Sequence, residues 1–199
     1  MSAYAKQLEF PMLIDEFVEW MKTWTDTEKY ELLDGEPVAM AGGTVDNEIV
    51  TANIAGFLYA RMRDRGCRPY RDLLLCSPVS DRFGVFPDVY VRCGPPGDGR
   101  RTWVDDAVAV FEVLSPSTIA IDRGYKQEQY LRMPTLQHYV LVHPREFRVE
   151  VWSRDAEGGW SEFPASANRL DETVALPALD LTIPMTDIYA DTELVRAAS

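Results

Sequence analysis

The chain has 199 residues, of which 46% are hydrophobic and 26% are charged, a composition typical of one folded domain and not of a disordered chain. Its net charge of −12 argues against broad electrostatic attraction to DNA or RNA, because non-specific affinity comes mainly from Lys and Arg that neutralise phosphates. A local basic rim can still oppose the average charge. Two rims are candidates: one formed by Arg61, Arg63, Arg65, Arg68 and Arg71, and one formed by Arg100, Arg101 and Arg123.

The cysteines and the chain start bear on the cellular compartment. Cys67, Cys76 and Cys93 are odd in number and lack metal-site spacing, so we expect free intracellular thiols. The first ten residues lack a basic segment followed by a long apolar one, and no run of about 18 apolar residues occurs. These features predict a soluble, cytoplasmic protein without a membrane partner.

In the first third of the chain, a loose leader over residues 1–11 precedes an amphipathic helix over 12–24 and a polar break over 25–28. Asp34-Gly35 predicts a two-residue hairpin turn between strands at 30–33 and 37–41. Thr44 is a candidate N-cap of a helix that packs on the sheet and ends near Gly66.

The middle of the chain predicts one or two strands over 67–77, a turn over 78–84, a strand after Asp88 and an irregular loop over 93–101. Residues 108–114 form an apolar strand, and Asp122 is expected to cap a helix that ends at Met133-Pro134. Lys126 and Tyr130, four residues apart, would share one face of that helix.

The last third predicts strands at 138–142 and 147–153, a turn at 157–159 leading into a strand at 160–163, a short strand pair within 168–183 and a closing turn or short helix at 184–189. His138 and His143 are expected to be structural. The whole chain is predicted to be one domain, with an N-terminal helix at 12–24, a core at 30–152 and C-terminal elements at 160–190.

Two acids stand where strands would bury them. Glu112 interrupts the apolar run at 108–114, and Asp88 lies between strand-forming residues. A half-buried carboxylate normally has a cation, a hydrogen bond or a metal as its partner. Two acids at adjacent strand ends suit a hard cation such as Mg²⁺, and Lys126 would orient a nucleophile or offset developing charge. This arrangement favours metal-assisted hydrolysis.

These residues are part of a longer pattern. It consists of the segment YELLDGE at 30–36, Pro87-Asp88-Val89, the segment EVLSPST at 112–118, and then Asp122, Lys126 and Tyr130. In this order the chain resembles the Uma-type restriction-endonuclease family of unknown function within the PD-(D/E)XK nuclease superfamily. The resemblance covers residues 30–152.

The resemblance implies an α/β, restriction-endonuclease-like fold with a mixed central β-sheet flanked by helices. It implies an endonuclease that uses Mg²⁺ or Mn²⁺ to hydrolyse DNA. The implied metal ligands are Asp88, Glu112 and the backbone carbonyl of Val113. Lys126 would stabilise charge or orient water, and Glu31 would be an accessory ligand or base. A homodimer is also implied, since cutting both strands needs two sites related by symmetry.

The chain departs from the superfamily pattern at two positions. The general pattern has its lysine two residues after the second acid, where this chain has Leu114. Lys126 takes the role by resemblance to a family whose lysine lies on the following helix. Asn47 stands where many members carry a histidine before the long helix.

Two other functions remain open from the sequence. The acidic surface suits a catalytically silent interaction module that keeps the nuclease fold, although such a module has no need of a buried acid pair. Two carboxylates could also act on a sugar, as in glycosidases, but that chemistry requires no lysine.

Overall fold

The computed structural model describes residues 11–23, 28–40, 42–95, 97 and 99–198. The predicted leader lies almost wholly outside these residues, and so does the polar break over 25–28. The helices are α1 (Ile14–Thr23), α2 (Val45–Met62), α3 (Ile119–Ile121), α4 (Gln127–Arg132), α5 (Met185–Ile188) and α6 (Glu193–Ala198), with a π-helical turn at Asp122–Lys126 and a 3₁₀ turn at Pro177–Leu179. In the part of the chain described, none of these helices is long and apolar enough to cross a bilayer.

Most strands belong to two sheets. The strands are β1 (Tyr30–Leu33), β2 (Glu36–Ala39), β3 (Cys67–Tyr70), β4 (Leu74–Ser77), β5 (Ser80–Val85), β6 (Val89–Cys93), β7 (Trp103–Val104), β8 (Ala107–Val113), β9 (His138–His143), β10 (Arg148–Ser153), β11 (Ala165–Ala167), β12 (Thr173–Leu176) and β13 (Leu181–Pro184). One sheet has the order β11-β10-β9-β8-β6-β3, the other β2-β1-β5-β4-β7, and β12 pairs with β13. Both larger sheets are mixed, since β8 is parallel to β9 and β4 to β7 while the other pairs are antiparallel. The predicted α/β class with mixed sheets and flanking helices is confirmed.

Strand β8 is the centre of the fold because both of its faces are covered. Alternate residues on a strand point to opposite sides. Phe111 and Val113 pack with Ile54 of α2 in one hydrophobic cluster, whereas Val110 packs with Tyr130 of α4 in another. Residue 112 therefore points to the side of the sheet that carries α4.

Local signals explain the elements that the sequence predicted correctly. Asp34 and Gly35 both have positive φ, 51° and 81°, as a type I′ hairpin turn requires. The Thr44 hydroxyl accepts a hydrogen bond from the Asn47 backbone N–H, so Thr44 is the N-cap of α2. The short strand pair and closing helix near the C-terminus are present as β12, β13 and α5.

Several predicted boundaries were wrong. The segment 78–84 is mostly strand β5, with a turn only at Pro78-Val79. The helix carrying Lys126 begins at Ile119, so Asp122 lies inside it and does not cap it. Residues 160–163 form no strand, because Trp160 makes only an isolated bridge to Arg154.

The cysteine prediction was also wrong for two of the three residues. Cys67 and Cys93 are bonded as a disulfide, and Cys76 is free and buried. The cause is strand register, since Cys67 of β3 lies directly opposite Cys93 of β6. A separation of 26 residues along the chain gives no sign of this contact.

Candidate functional site

The pairing of β6 with β8 brings the two predicted acids together. Val89 lies opposite Phe111, so the next position of this antiparallel register sets Asp88 beside Glu112. Two hydrogen bonds join Asp88 to β8, one with Val113 and one with Glu112. Oδ2 of Asp88 accepts from the Val113 N–H at 2.6 Å, and the Asp88 N–H donates to Oε2 of Glu112 at 3.4 Å.

The π-helical turn places Lys126 against these acids. A π-helical turn inserts an extra residue into a helix and is common at functional sites. The Lys126 side chain is only 7% exposed, and its Nζ lies 3.4 Å from Oε1 of Glu112. Burial of a lysine at this depth requires anionic partners.

Two further carboxylates surround the same ammonium group. Oε2 of Glu31, on β1, lies 2.9 Å from Nζ of Lys126, and Oε1 of Glu31 also accepts from the Phe86 N–H at 3.0 Å. Oδ1 of Asp122 lies 3.5 Å from the same Nζ and, within the described residues, makes no hydrogen bond. We call Glu31, Asp88, Glu112, Asp122 and Lys126 the Lys126 cluster.

Two neutral side chains hold the backbone and the carboxylates of this cluster. The Tyr130 hydroxyl donates to Oε1 of Glu112 at 2.7 Å, so Tyr130 and Lys126 contact the same oxygen, as their shared helix face predicts. Nδ2 of Asn47 donates to the carbonyls of Val113 and Leu114, at 3.3 and 3.2 Å. Asn47 therefore orients the carbonyl that the sequence analysis assigned to the metal.

Burial is the largest influence on the pKa values of the carboxyl groups in the Lys126 cluster. Burial raises the pKa of Asp88 to about 6, although the Val113 N–H and the Lys126 charge oppose the shift. Burial likewise raises the pKa of Glu112 well above its usual value and raises that of Asp122. Burial alone would lower the pKa of Lys126, but the carboxylates of Glu112 and Glu31 outweigh it and raise that pKa. The ammonium group thus stays protonated. Its single positive charge does not balance the four carboxyl groups of the cluster.

The donor set fits a hard divalent cation. Carboxylate and carbonyl oxygens are the ligands that Mg²⁺ and Mn²⁺ prefer, and Mg²⁺ keeps several of its waters. Oδ1 of Asp88 accepts no hydrogen bond from the described residues, and Asp88 is partly exposed. Across the described ranges no group of three or more His, Cys, Asp or Glu side chains has the geometry of a metal site. The predicted ligand set is not such a group of three side chains, because it combines two carboxylates with the backbone carbonyl of Val113.

Most arginines of the two candidate rims have other contacts. Arg65 donates to the Leu179 and Asp180 carbonyls, and Arg101 stacks on Trp103. Arg123 pairs with the buried Glu150. Helix α2, which carries Arg61, also runs away from the site. Asn47 and Arg61 are 14 residues apart on this helix, about 21 Å at 1.5 Å per residue.

Both histidines are held inside the fold. His138 lies between Ser153 Oγ, at 2.9 Å from Nδ1, and the Ala178 N–H, which donates to Nε2. Burial lowers the pKa of His138 to about 4, so the ring is neutral. His143 contacts Arg123 and Glu150. These contacts agree with the structural role predicted for both residues.

The structure therefore brings together every residue that the sequence analysis proposed for the site: Glu31, Asp88, Glu112, Val113 and Lys126. Sequence reasoning missed Asp122 as a fourth carboxylate of the cluster. A usable signal existed, since Asp122 and Lys126 are four residues apart and such pairs are neighbours on a helix. It also missed the contact between Asn47 and the Val113 carbonyl, for which the sequence offered no signal.

Comparison with known proteins agrees with this architecture. Residues 14–186 match the model of the family Uma2, described as "Putative restriction endonuclease". Two proteins of Synechocystis sp. (strain ATCC 27184 / PCC 6803 / Kazusa) are similar. Uncharacterized protein slr1290 is 29% identical over 190 residues, which cover 95% of this chain and 97% of that protein. Uncharacterized protein sll1609 is 29% identical over 137 residues, which cover 67% and 77% respectively.

A solved structure shares the fold. The crystal structure of "a putative nuclease belonging to DUF820" from Anabaena variabilis ATCC 29413 superposes with a TM-score of 0.70, covering 90% of this chain and 98% of the other. At 15% sequence identity this likeness concerns the fold alone. The family match spans most of the chain, and the chain therefore belongs to the Uma2 family of restriction-endonuclease-like proteins.

Proposed function

We propose that the protein is a divalent-metal-dependent nuclease that hydrolyses phosphodiester bonds in DNA. The observation that carries this proposal is the charge balance of the Lys126 cluster, in which three buried carboxylates contact one ammonium group and a fourth, that of the half-buried Asp88, lies beside Glu112. Buried carboxylates without enough counter-ions destabilise a fold, because they repel one another and lose their hydration. A cation that binds at this position relieves the repulsion.

Asp88, Glu112 and the Val113 carbonyl would hold Mg²⁺ or Mn²⁺. When bound, such a metal polarises a phosphoryl oxygen and lowers the pKa of a water molecule. Asn47 fixes the Val113 carbonyl and Tyr130 fixes one oxygen of Glu112, so two of the ligands are oriented before the metal arrives.

Lys126 would act by charge and position. Because its neighbours raise its pKa, the group is protonated at physiological pH and cannot serve as a general base. Its ammonium can orient the attacking water and offset negative charge that develops on the phosphoryl group. Glu31, which contacts Lys126 through both oxygens, holds this ammonium in place.

A homodimer remains part of the proposal, since cleavage of both DNA strands needs two sites related by symmetry. Light scattering coupled to size-exclusion chromatography measures the oligomeric state. The silent interaction module is less well supported, because it gives no reason for burying uncompensated acids.

The test is nuclease activity on plasmid and single-stranded DNA at low salt with Mn²⁺, comparing the wild type with Glu112→Ala and Glu112→Gln. Low salt is needed because an acidic protein binds DNA weakly. We expect Mn²⁺-dependent cleavage that both variants lose. Glu36→Ala, which removes an exposed glutamate of β2, is the matched control and should cleave like the wild type. Cleavage that survives Glu112→Gln in a folded protein would contradict the proposal.

A further inference from the structure

Two exposed ion pairs involve residues on or next to elements that carry the Lys126 cluster or hold its backbone. Nζ of Lys29 is 2.5 Å from Oδ1 of Asp72, and Nη2 of Arg71 is 3.2 Å from Oε2 of Glu48. Both cations keep substantial exposure, 54% for the Lys29 side chain and 37% for that of Arg71. They are therefore accessible to a ligand that approaches the site.

The strand pairing ties Arg71 and Asp72 to the candidate metal ligand Asp88. Tyr70 lies opposite Tyr90 in the antiparallel pair β3–β6. Arg71 and Asp72 follow the last residue of β3, and Asp88 precedes the first residue of β6, so in this antiparallel pair they lie at the same end of the two strands. Asp72 has φ of 57°, so the extended conformation of the strand ends at this residue.

Lys29 belongs to the same side of β1 as the site. Its carbonyl accepts from the Met40 N–H at 2.9 Å, which extends the β1–β2 ladder by one pair. Residues two apart on a strand point to the same face, so Lys29 shares the face of Glu31, whose carboxylate contacts Lys126.

Glu48 anchors the second cation close to the same point. It follows Asn47 in the first turn of α2, and Asn47 binds the Val113 carbonyl at the cluster. The two ion pairs thus border the partly exposed Asp88 on the sides of β1 and α2.

We propose that Lys29 and Arg71 bind two backbone phosphates of the nucleic-acid strand that enters the site, exchanging Asp72 and Glu48 for phosphate oxygens. The proposal rests on the proposed nuclease function. A protein with a net charge of −12 gains no long-range attraction to a polyanion, so binding depends on local cations. Exposed ion pairs contribute little to stability, so the exchange is inexpensive.

The paired acids give the proposal a distinctive consequence. While Asp72 and Glu48 compete with phosphate for the two cations, they weaken binding. Removal of either acid should strengthen binding, whereas removal of either cation should weaken it. Residues that merely stabilise the fold would not produce these opposite effects.

The experiment measures fluorescence anisotropy of labelled single-stranded DNA, duplex DNA and RNA oligonucleotides at several salt concentrations, with EDTA present to prevent cleavage. For the double variant Lys29→Gln/Arg71→Gln we expect roughly tenfold weaker binding, with the slope of log K against log salt reduced by about 0.7 for each lost single-strand contact. Asp72→Asn and Glu48→Gln should each bind about two- to threefold more tightly.

A remote ion pair provides matched controls. Arg169 and Asp171 are exposed and lie 3.0 Å apart, and Arg169→Gln and Asp171→Asn each change the net charge by one, as the single variants Lys29→Gln, Arg71→Gln and Asp72→Asn do. Both should bind like the wild type. If neither Lys29→Gln nor Arg71→Gln binds more weakly than Arg169→Gln, if Asp72→Asn binds no more tightly than Asp171→Asn, or if the wild type binds no oligonucleotide, the inference is overturned.

The same variants separate this inference from the proposed function. If the variants have opposite effects on binding but the wild type shows no Mn²⁺-dependent cleavage, the phosphate contacts are supported and the proposed nuclease function is contradicted. If the wild type cleaves DNA but Lys29→Gln/Arg71→Gln has unchanged binding and KM, the nuclease function is supported and the phosphate contacts are contradicted. Equal effects on DNA and RNA support contact with the shared phosphate backbone; effects that depend on the bases or the sugar contradict it.

Discussion

Two regions of the molecule bury charge with opposite balance. In the Lys126 cluster, acids outnumber the cation, and burial raises the pKa of Asp88. At the end of the β9–β10 hairpin, one buried carboxylate, that of Glu150, is paired with the guanidinium groups of Arg123 and Arg148. Burial alone would raise the pKa of Glu150, but hydrogen bonds from Arg148, Arg123 and His143 outweigh it and lower that pKa.

The contrast separates a cluster that we propose to be functional from one that is structural. Around Glu150 the protein supplies its own counter-ions, so the charges stabilise the folded state. Around Lys126 it supplies one cation for four carboxylates, which is the basis of the proposed metal site. The carboxylates of Glu150 and Glu112 are equally buried, but Arg123 and Arg148 keep 33% and 42% of their exposure whereas Lys126 keeps 7%, so the regions differ in the burial of their cations as well as in charge balance.

The largest expected effect is that of removing the lysine. Lys126→Met leaves the carboxylates of the cluster without their ammonium partner, and loss of one partner of a buried ion pair costs about 3–5 kcal/mol of unfolding free energy. Urea denaturation at neutral pH measures it. Lys22→Met, which breaks an exposed pair with Glu19, is the control and should cost less than about 1 kcal/mol. Equal losses in the two variants would show that the cluster is not electrostatically coupled.

The next largest effect is expected from Glu150, whose carboxylate is paired with Arg123 and Arg148. Glu150→Gln should lower the unfolding free energy by about 1–3 kcal/mol at neutral pH, because charge-assisted hydrogen bonds are lost. The folded-state pKa of Glu150 lies below the usual 4.5, so its contribution is present above that pH and is lost as the pH falls through the folded-state pKa. Denaturation curves of variant and wild type should therefore converge in acid; a gap that widens there would contradict this.

A smaller effect of opposite sign is expected at Asp88. Its pKa rises from 3.8 to about 6 on folding, so stability falls as the pH rises between these values. Without metal, Asp88→Asn should raise the unfolding free energy by about 1–2 kcal/mol above pH 6, and the gain should vanish near the unfolded pKa. Urea denaturation in EDTA across this pH range tests it. If the variant is less stable than the wild type at neutral pH, the charge of Asp88 does not destabilise the fold and the prediction is contradicted.

Much of the site could be predicted from local sequence. Glu112 is conspicuous as an acid within an apolar strand, and Asp88 lies at the start of another. Lys126 required the family resemblance, because a single lysine on a helix is usually solvated. Asp122 was misinterpreted because the turn before it suggests a helix start, whereas the helix begins three residues earlier and continues through a π turn.

The errors in the fold have tertiary causes. Gly84 suggested a turn, but it lies in β5, where a Cβ atom would come 2.5 Å from Cδ1 of Ile14. The glycine allows α1 to approach the strand closely. Trp160 has strand propensity, but its ring stacks with Arg154 and its indole N–H donates to the Leu131 carbonyl. Neither contact is encoded in the neighbouring residues.

We expect the surplus of carboxylates to bind a divalent cation, which calorimetric titration with Mn²⁺ can measure. The wild type should bind Mn²⁺, Asp88→Asn should lose that binding, and Glu150→Gln should retain it, because the charge of Glu150 is already neutralised within the protein. Unchanged Mn²⁺ binding by Asp88→Asn, or no binding by the wild type, would contradict the account.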